Sequence, residues 1–127
     1  LMLIVILFIS MPFSFFSQNL NQNDQSKNNG KAIFYQESLE SIPSDSIVIA
    51  DWADFTSFRY FQIVNQLNPS INIIFLEEDE LWVKTINETI DNKKVFLVNN
   101  KSDVLKNYNL KPFFVSNQTI LYQVEKR

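Results

Sequence analysis

The residues best suited to chemistry in this chain are Asp51-Trp52-Ala53-Asp54, two carboxylates flanking an indole. Carboxylates accept hydroxyl hydrogen bonds and an indole stacks on a sugar ring, so Asp51, Trp52 and Asp54 form a candidate saccharide-binding cluster. The same residues have a purely structural reading, in which Asp54 caps a helix, Asp51 finishes a strand and Trp52 packs partly buried. A second acidic run, Glu77-Glu78-Asp79-Glu80, lacks the spaced oxygen ligands and turn glycine of a calcium loop. It reads as the acidic first turn of a helix, facing the positive end of the macrodipole. Arg59 is one of two arginines. It could grip phosphate, but on an aromatic-rich helix it is expected to join an ion pair or to lay its stem along apolar surface. Phe113 and Phe114 could dock a partner and are expected instead in strand core.

Much other chemistry is excluded by composition. The 127 residues include no His, no Cys and a single glycine, Gly30. Without His and Cys there is no imidazole base, thiolate nucleophile or disulfide, and hardly a zinc or haem site. One glycine cannot furnish a phosphate loop, a dinucleotide fingerprint or a nucleophile elbow. A net charge of −3 gives no basic field for nucleic acid. No catalytic residue, metal site or cofactor is assigned. Glycosylation acceptor patterns at Asn87, Asn100 and Asn117 carry no weight in a chain with fifteen asparagines.

The elements that must position Asp51 to Asp54 can be read from periodicity. Ala32, Tyr35, Leu39 and Ile42 mark one helix face, which Pro43 ends. Ser46 to Ala50 is a short apolar run, consistent with a strand buried on both faces. From Asp54 to Leu67, Phe55, Phe58, Phe61, Val64 and Leu67 recur in steps of three. That spacing sweeps a wide sector, so the helix is expected to be covered on more than one side. Asn68-Pro69 breaks it. Ile71 to Leu76 is a second interior strand, and a helix through Trp82, Ile86 and Ile90 follows. Lys94 to Val98 is a third strand. Ser102 is expected to cap a short helix ending near Asn107. Lys111–Ser116 and Thr119–Glu125 read as a terminal hairpin around Asn117-Gln118. Strands alternating with helices predict a small three-layer α/β domain over residues 30–127. Its sheet is expected to be mostly parallel, with an antiparallel C-terminal hairpin at its edge.

All 25 charged residues lie at or after Asp24, and thirteen of the first sixteen residues are apolar. Residues 1–17, LMLIVILFISMPFSFFS, have no polar face and would span roughly 25 Å as a helix, slightly short of a bilayer core. One reading is the end of a truncated transmembrane helix, with upstream sequence supplying the missing length. The other is a secretory signal peptide, with an apolar core at Leu3 to Ile9 and cleavage near Ser17 or Gln18, although it lacks a basic start. Residues 18–29 are a polar linker, and its neutral charge favours the outer side of a membrane.

Read in order, several short motifs carry a resemblance. An apolar span leads to Asp24-Gln-Ser26, then to a helix ending Leu39-Glu-Ser-Ile-Pro43. Ser46-Ile-Val-Ile-Ala-Asp51-Trp52, Tyr60-Phe61-Gln62, Asn68-Pro69-Ser70-Ile71, Trp82, Val95-Phe96-Leu97 and Tyr108-x-Leu110-x-Pro112 follow. This order resembles the C-terminal extracytoplasmic region of a bacterial multi-pass membrane glycosyltransferase-like family, related to protein O-mannosyltransferases and containing domains of unknown function. Asn68-Pro69-Ser70-Ile71 departs from that family's R-P-D-V motif at Asn68 and Ser70, with Ile71 a conservative replacement of its valine. The acidic residues proposed as catalytic in the family lie in an earlier loop with no counterpart here, so none is carried over. The resemblance implies an accessory domain of a lipid-linked-sugar-dependent enzyme, not catalytic by itself and outside the inner (cytoplasmic) membrane. The implied partners are the lipid bilayer, the rest of a multi-pass protein, and a lipid-linked sugar or its acceptor. It also favours the truncated-helix reading of residues 1–17. The alternative expectation is a small secreted or anchored α/β module that binds a ligand or protein after signal-peptide cleavage.

Overall fold

A computed structural model describes residues 29–116 and 119–127. The expected membrane segment 1–17, most of the linker and the hairpin turn Asn117-Gln118 lie outside the described residues. Among the described residues no helix is long and apolar enough to cross a membrane.

The element order is α1 (Gly30–Ser41), β1 (Ile47–Ala50), α2 (Trp52–Val64), β2 (Asn72–Phe75), α3 (Asp79–Thr89), β3 (Val95–Leu97), α4 (Ser102–Asn107), β4 (Tyr108–Ser116) and β5 (Thr119–Lys126). The strands form one sheet in the order β2-β1-β3-β5-β4. β1 pairs in parallel with β2 and β3, while β5 pairs antiparallel with β3 and β4. The sheet is therefore evenly mixed rather than mostly parallel. The hairpin is also not a simple edge appendage, because β5 is interior and only β4 lies at the border.

Period-two alternation sends successive side chains to opposite faces, and two cores result. Val48 and Phe96 meet Phe34, Tyr35 and Leu39 of α1 and Phe58 of α2 on one face. Ile47, Ile49, Val95 and Leu97 meet Trp82 and Ile86 of α3 and Val104 of α4 on the other. All four residues of β1 and all three of β3 are buried, as strands covered on both faces require. Trp82 is fully buried, and its indole N–H donates to Leu76 O at 3.0 Å, so its polar edge is satisfied.

Several local expectations are corrected. α2 begins at Trp52 and is capped by Asp51, not Asp54, and it ends at Val64. Ser102 is the first helical residue of α4 rather than its cap. β4 starts at Tyr108, earlier than periodicity placed it. The expectation that α2 would be covered on several sides fails. Phe58 is buried and Phe55, Phe61 and Leu67 pack against the core, but Val64 is exposed along with the outer face. Arg59 makes no ion pair among the described residues; Nη1 donates to Gln62 Oε1 at 2.6 Å. Asp79 and Glu80 occupy the first turn of α3 as expected, and Asp79 pairs with Lys101 at 2.9 Å. The register of β4 on β5 shifts between Pro112 and Phe114, which makes Phe113 the bulged residue. In consequence both rings lie on one face, but only Phe114 packs into the core, against Phe34; Phe113 touches Phe96 and remains exposed, so the core expectation holds for Phe114 alone.

Candidate functional site

The strand order 2-1-3 reverses direction between β1 and β3. β1 continues through α2 to β2 on one side, while β3 is reached through α3 on the other. At such a reversal the connections leave in opposite directions and open a crevice beyond the carboxyl ends of the two strands. Asp51 follows β1 and Asn99 lies just beyond β3. The register Ile49↔Leu97, continued by two residues, sets them opposite one another.

Around this point the polar side chains form a connected network. Asn99 Nδ2 donates to Asp51 Oδ2 at 2.6 Å and to Asp54 Oδ2 at 3.1 Å. The Tyr35 hydroxyl, from α1, donates to Asp54 Oδ1 at 2.6 Å. The Asp54 backbone N–H donates to Asp51 Oδ1 at 3.3 Å, which closes the helix cap. Each carboxylate oxygen thus has one protein donor and retains a further lone pair for a ligand hydroxyl. A cleft of about 450 Å³ opens over the network, walled by Lys31, Ala53, Val98, Asn100, Thr119, Ile120 and Tyr122 as well as the four network residues. A groove of about 460 Å³ between α1 and α2 continues from it and shares Lys31, Tyr35, Ala53 and Asp54.

The electrostatics follow from the geometry. Burial raises the Asp54 pKa above its ordinary value, and the neighbouring Asp51 charge adds to that rise. The hydrogen bonds from Tyr35 and Asn99 act the other way, because they stabilise the carboxylate. Burial likewise raises the Tyr35 phenol, and the hydrogen bond to Asp54 reinforces it. Tyr35 is therefore a fixed donor at neutral pH, and this phenol cannot serve there as a base.

Of the three expected residues, Asp51 and Asp54 meet, whereas Trp52 does not join them. Its ring projects away from the cleft, stacked on Phe55 at 6.1 Å and edge-on to Phe75 at 5.4 Å. Trp52 is 62% exposed, so it packs on Phe55 and Phe75 with one part of its ring and leaves the rest uncovered. Sequence reasoning missed Asn99, and it took Tyr35 for core alone. A signal for Asn99 was present, since it directly follows the apolar run that forms β3. Only the neighbouring placement of β3 and β1 gives that signal meaning. Tyr35 is a core residue along its ring and a site residue at its hydroxyl.

No protein-family model, curated protein or solved structure matches this chain.

Proposed function

We propose that this chain is a non-catalytic accessory domain that binds a neutral, hydroxyl-rich sugar group at the Asp51–Asp54–Asn99 cleft. It serves a membrane-embedded, lipid-linked-sugar-dependent glycosyltransferase-like protein from the outer side of the membrane. The observation that carries the binding function is the network itself. Two carboxylates are held by an amide and a phenol at the strand-order reversal, with outward lone pairs, and Lys31, Asn100, Thr119 and Tyr122 stand around them. Sugars offer hydroxyl donors to carboxylates and hydroxyl acceptors to ammonium, amide and phenol groups. Two carboxylates against one ammonium disfavour an anionic ligand. The motif order along the chain supports the glycosyltransferase context, and the uncharged run at residues 1–17 supports the membrane.

The cleft suits recognition rather than catalysis. Both carboxylates are engaged by internal donors, and Tyr35 keeps its proton.

Amide NMR of the full chain in detergent, titrated with mannose, glucose and N-acetylglucosamine, tests the binding. The expected result is saturable shifts of the Asn99 and Asn100 side-chain amides with at least one sugar. Asp51→Asn keeps a good helix cap but removes a charge-assisted acceptor, and should weaken that binding by about tenfold, the equivalent of ~1.4 kcal/mol. Absence of saturable shifts with every sugar would overturn the binding function.

A further inference from the structure

The outer face of α2 has no covering layer among the described residues. Trp52 is 62%, Tyr60 56%, Ile63 63% and Val64 58% exposed. Nine large apolar side chains are exposed among the described residues, and these four share one helix. At 3.6 residues per turn they fall within a sector of roughly 120°, which also holds Ala53 and Thr56 and is bordered by Arg59. The concentration is too local to be scattered surface apolarity.

The chemistry of the stripe is specific. It holds two aromatics with polar edges, two branched aliphatics, one arginine and no carboxylate, in a chain whose acidic residues outnumber its basic ones by 14 to 11. Trp and Tyr partition to the headgroup level of bilayers, branched aliphatics to the acyl boundary, and Arg to phosphates. Arg59 spends one guanidinium nitrogen on Gln62, and the rest of the fork remains for a phosphate.

Chain geometry argues for the same occupant. α1 runs from the carboxyl ends of the strands down to the start of β1, so Gly30 lies at the end of the domain that carries Trp52. The bond between Tyr35 and Asp54 ties the second turn of α1 to the first turn of α2 on that side of the domain. The uncharged run 1–17 is separated from α1 by residues 18–29, a linker that reaches at most about 40 Å fully extended. α2, with 13 residues, is about 20 Å long. With the run lodged in a bilayer, the whole stripe is within reach of the same surface, at high effective concentration.

We infer that α2 docks lengthwise on the lipid surface through Trp52, Arg59, Tyr60, Ile63 and Val64. This rests on the membrane part of the proposed function and is independent of sugar binding.

The test uses the full chain reconstituted into phosphatidylcholine–phosphatidylglycerol vesicles with brominated acyl chains, which quench tryptophan in contact with them. Trp82 is fully buried, so it serves as the internal reference, and Trp52→Phe isolates its emission. The expected result is loss of roughly half of the wild-type emission, little loss in Trp52→Phe, and markedly weaker quenching of Trp52 in Ile63→Ser/Val64→Ser, as interfacial insertion of one face requires. A chain that floats with the vesicles but shows no Trp52 quenching overturns the docking alone and leaves anchoring intact. Unquenched Trp52 that is also shielded from aqueous acrylamide would mean that residues 1–17 or a second copy covers the face, and overturns it equally. A chain that does not float overturns both docking and anchoring.

Discussion

Asp54 is placed where its protonation state matters to the fold. Its ordinary value is 3.8, and burial beside Asp51 raises it in the folded protein. Between 3.8 and that raised value, the folded chain holds a proton that the unfolded chain has released. Asp54 therefore contributes stability that is fully present below pH 3.8 and is lost as pH rises through the folded value. Urea denaturation across this window should show a midpoint falling with pH, and Asp54→Asn should flatten that limb. Tyr35→Phe removes a donor that stabilises the carboxylate, so it should move the Asp54 titration upward, as followed by carboxyl-carbon NMR. If the Asp54 titration stays put in Tyr35→Phe, the phenol does not hold the carboxylate in solution. At this scale the sequence revealed the two acids and their separation. It did not reveal which of them caps the helix. A capping reading applied to Asp54 alone misses that Asp51 is extended (φ −74°, ψ 177°) and three residues ahead of the N–H it accepts.

At the scale of elements, three of the short motifs behind the resemblance meet in one place. Gln62 Nε2 donates to Asn68 O at 3.1 Å and Ile71 O at 2.9 Å. Asn68 Nδ2 donates to Leu39 O at 3.0 Å and Ile42 O at 2.8 Å. The Tyr-Phe-Gln, Asn-Pro-Ser-Ile and Leu-Glu-Ser-Ile-Pro segments thus clasp the end of α1 to the end of α2, at the opposite end of the domain from the cleft. Their role here is structural. Asn68 sits at φ 41°, in the left-handed region that Asn and Gly tolerate best. The expected stability order is wild type, then Asn68→Gly, then Asn68→Ala. Glycine loses only the side-chain hydrogen bonds, the two donated by Nδ2 and the one Oδ1 accepts from the Ser70 hydroxyl at 2.8 Å, and alanine adds about 1–2 kcal/mol of backbone strain. Equal urea midpoints for the Gly and Ala variants would show that the strained conformation is not kept. Apolar patterning located every strand and the three longer helices of the described region because each carries an apolar face, while the short α4 was read from a capping residue that proved to be helical. The element ends drifted because hydrogen bonds to distant residues, such as those from Asn68, decide where a helix stops.

Across the whole molecule, order follows from strand position. β1 and β3 are short but buried and paired on both sides, whereas β2 and β4 each have one unpaired edge. Hydrogen exchange should therefore be slowest in β1 and β3, intermediate in β5 and fastest in β2 and β4. Faster exchange in β3 than in β2 would contradict the pairing order. The arrangement of sheet neighbours was the least legible feature of the sequence. Alternating patterns identify βαβ units, but nothing local states that β5 rather than β4 adjoins β3, since either hairpin strand could present an apolar face there. The cleft inherits that blindness, because Thr119 and Tyr122 line it only through the position of β5.

Pro112 and the offset at Phe113 bear finally on how the domain behaves in company. A border strand of nine residues would normally invite another polypeptide to extend the ladder. Here a missing amide donor and a local twist interrupt the rim midway, and Phe114 packs into the core while Phe113 rests on Phe96 and stays partly exposed. Copies crowded together, as tethering would enforce, thus meet at a frontier ill-suited to templating, and self-assembly into fibrils is opposed by the backbone itself.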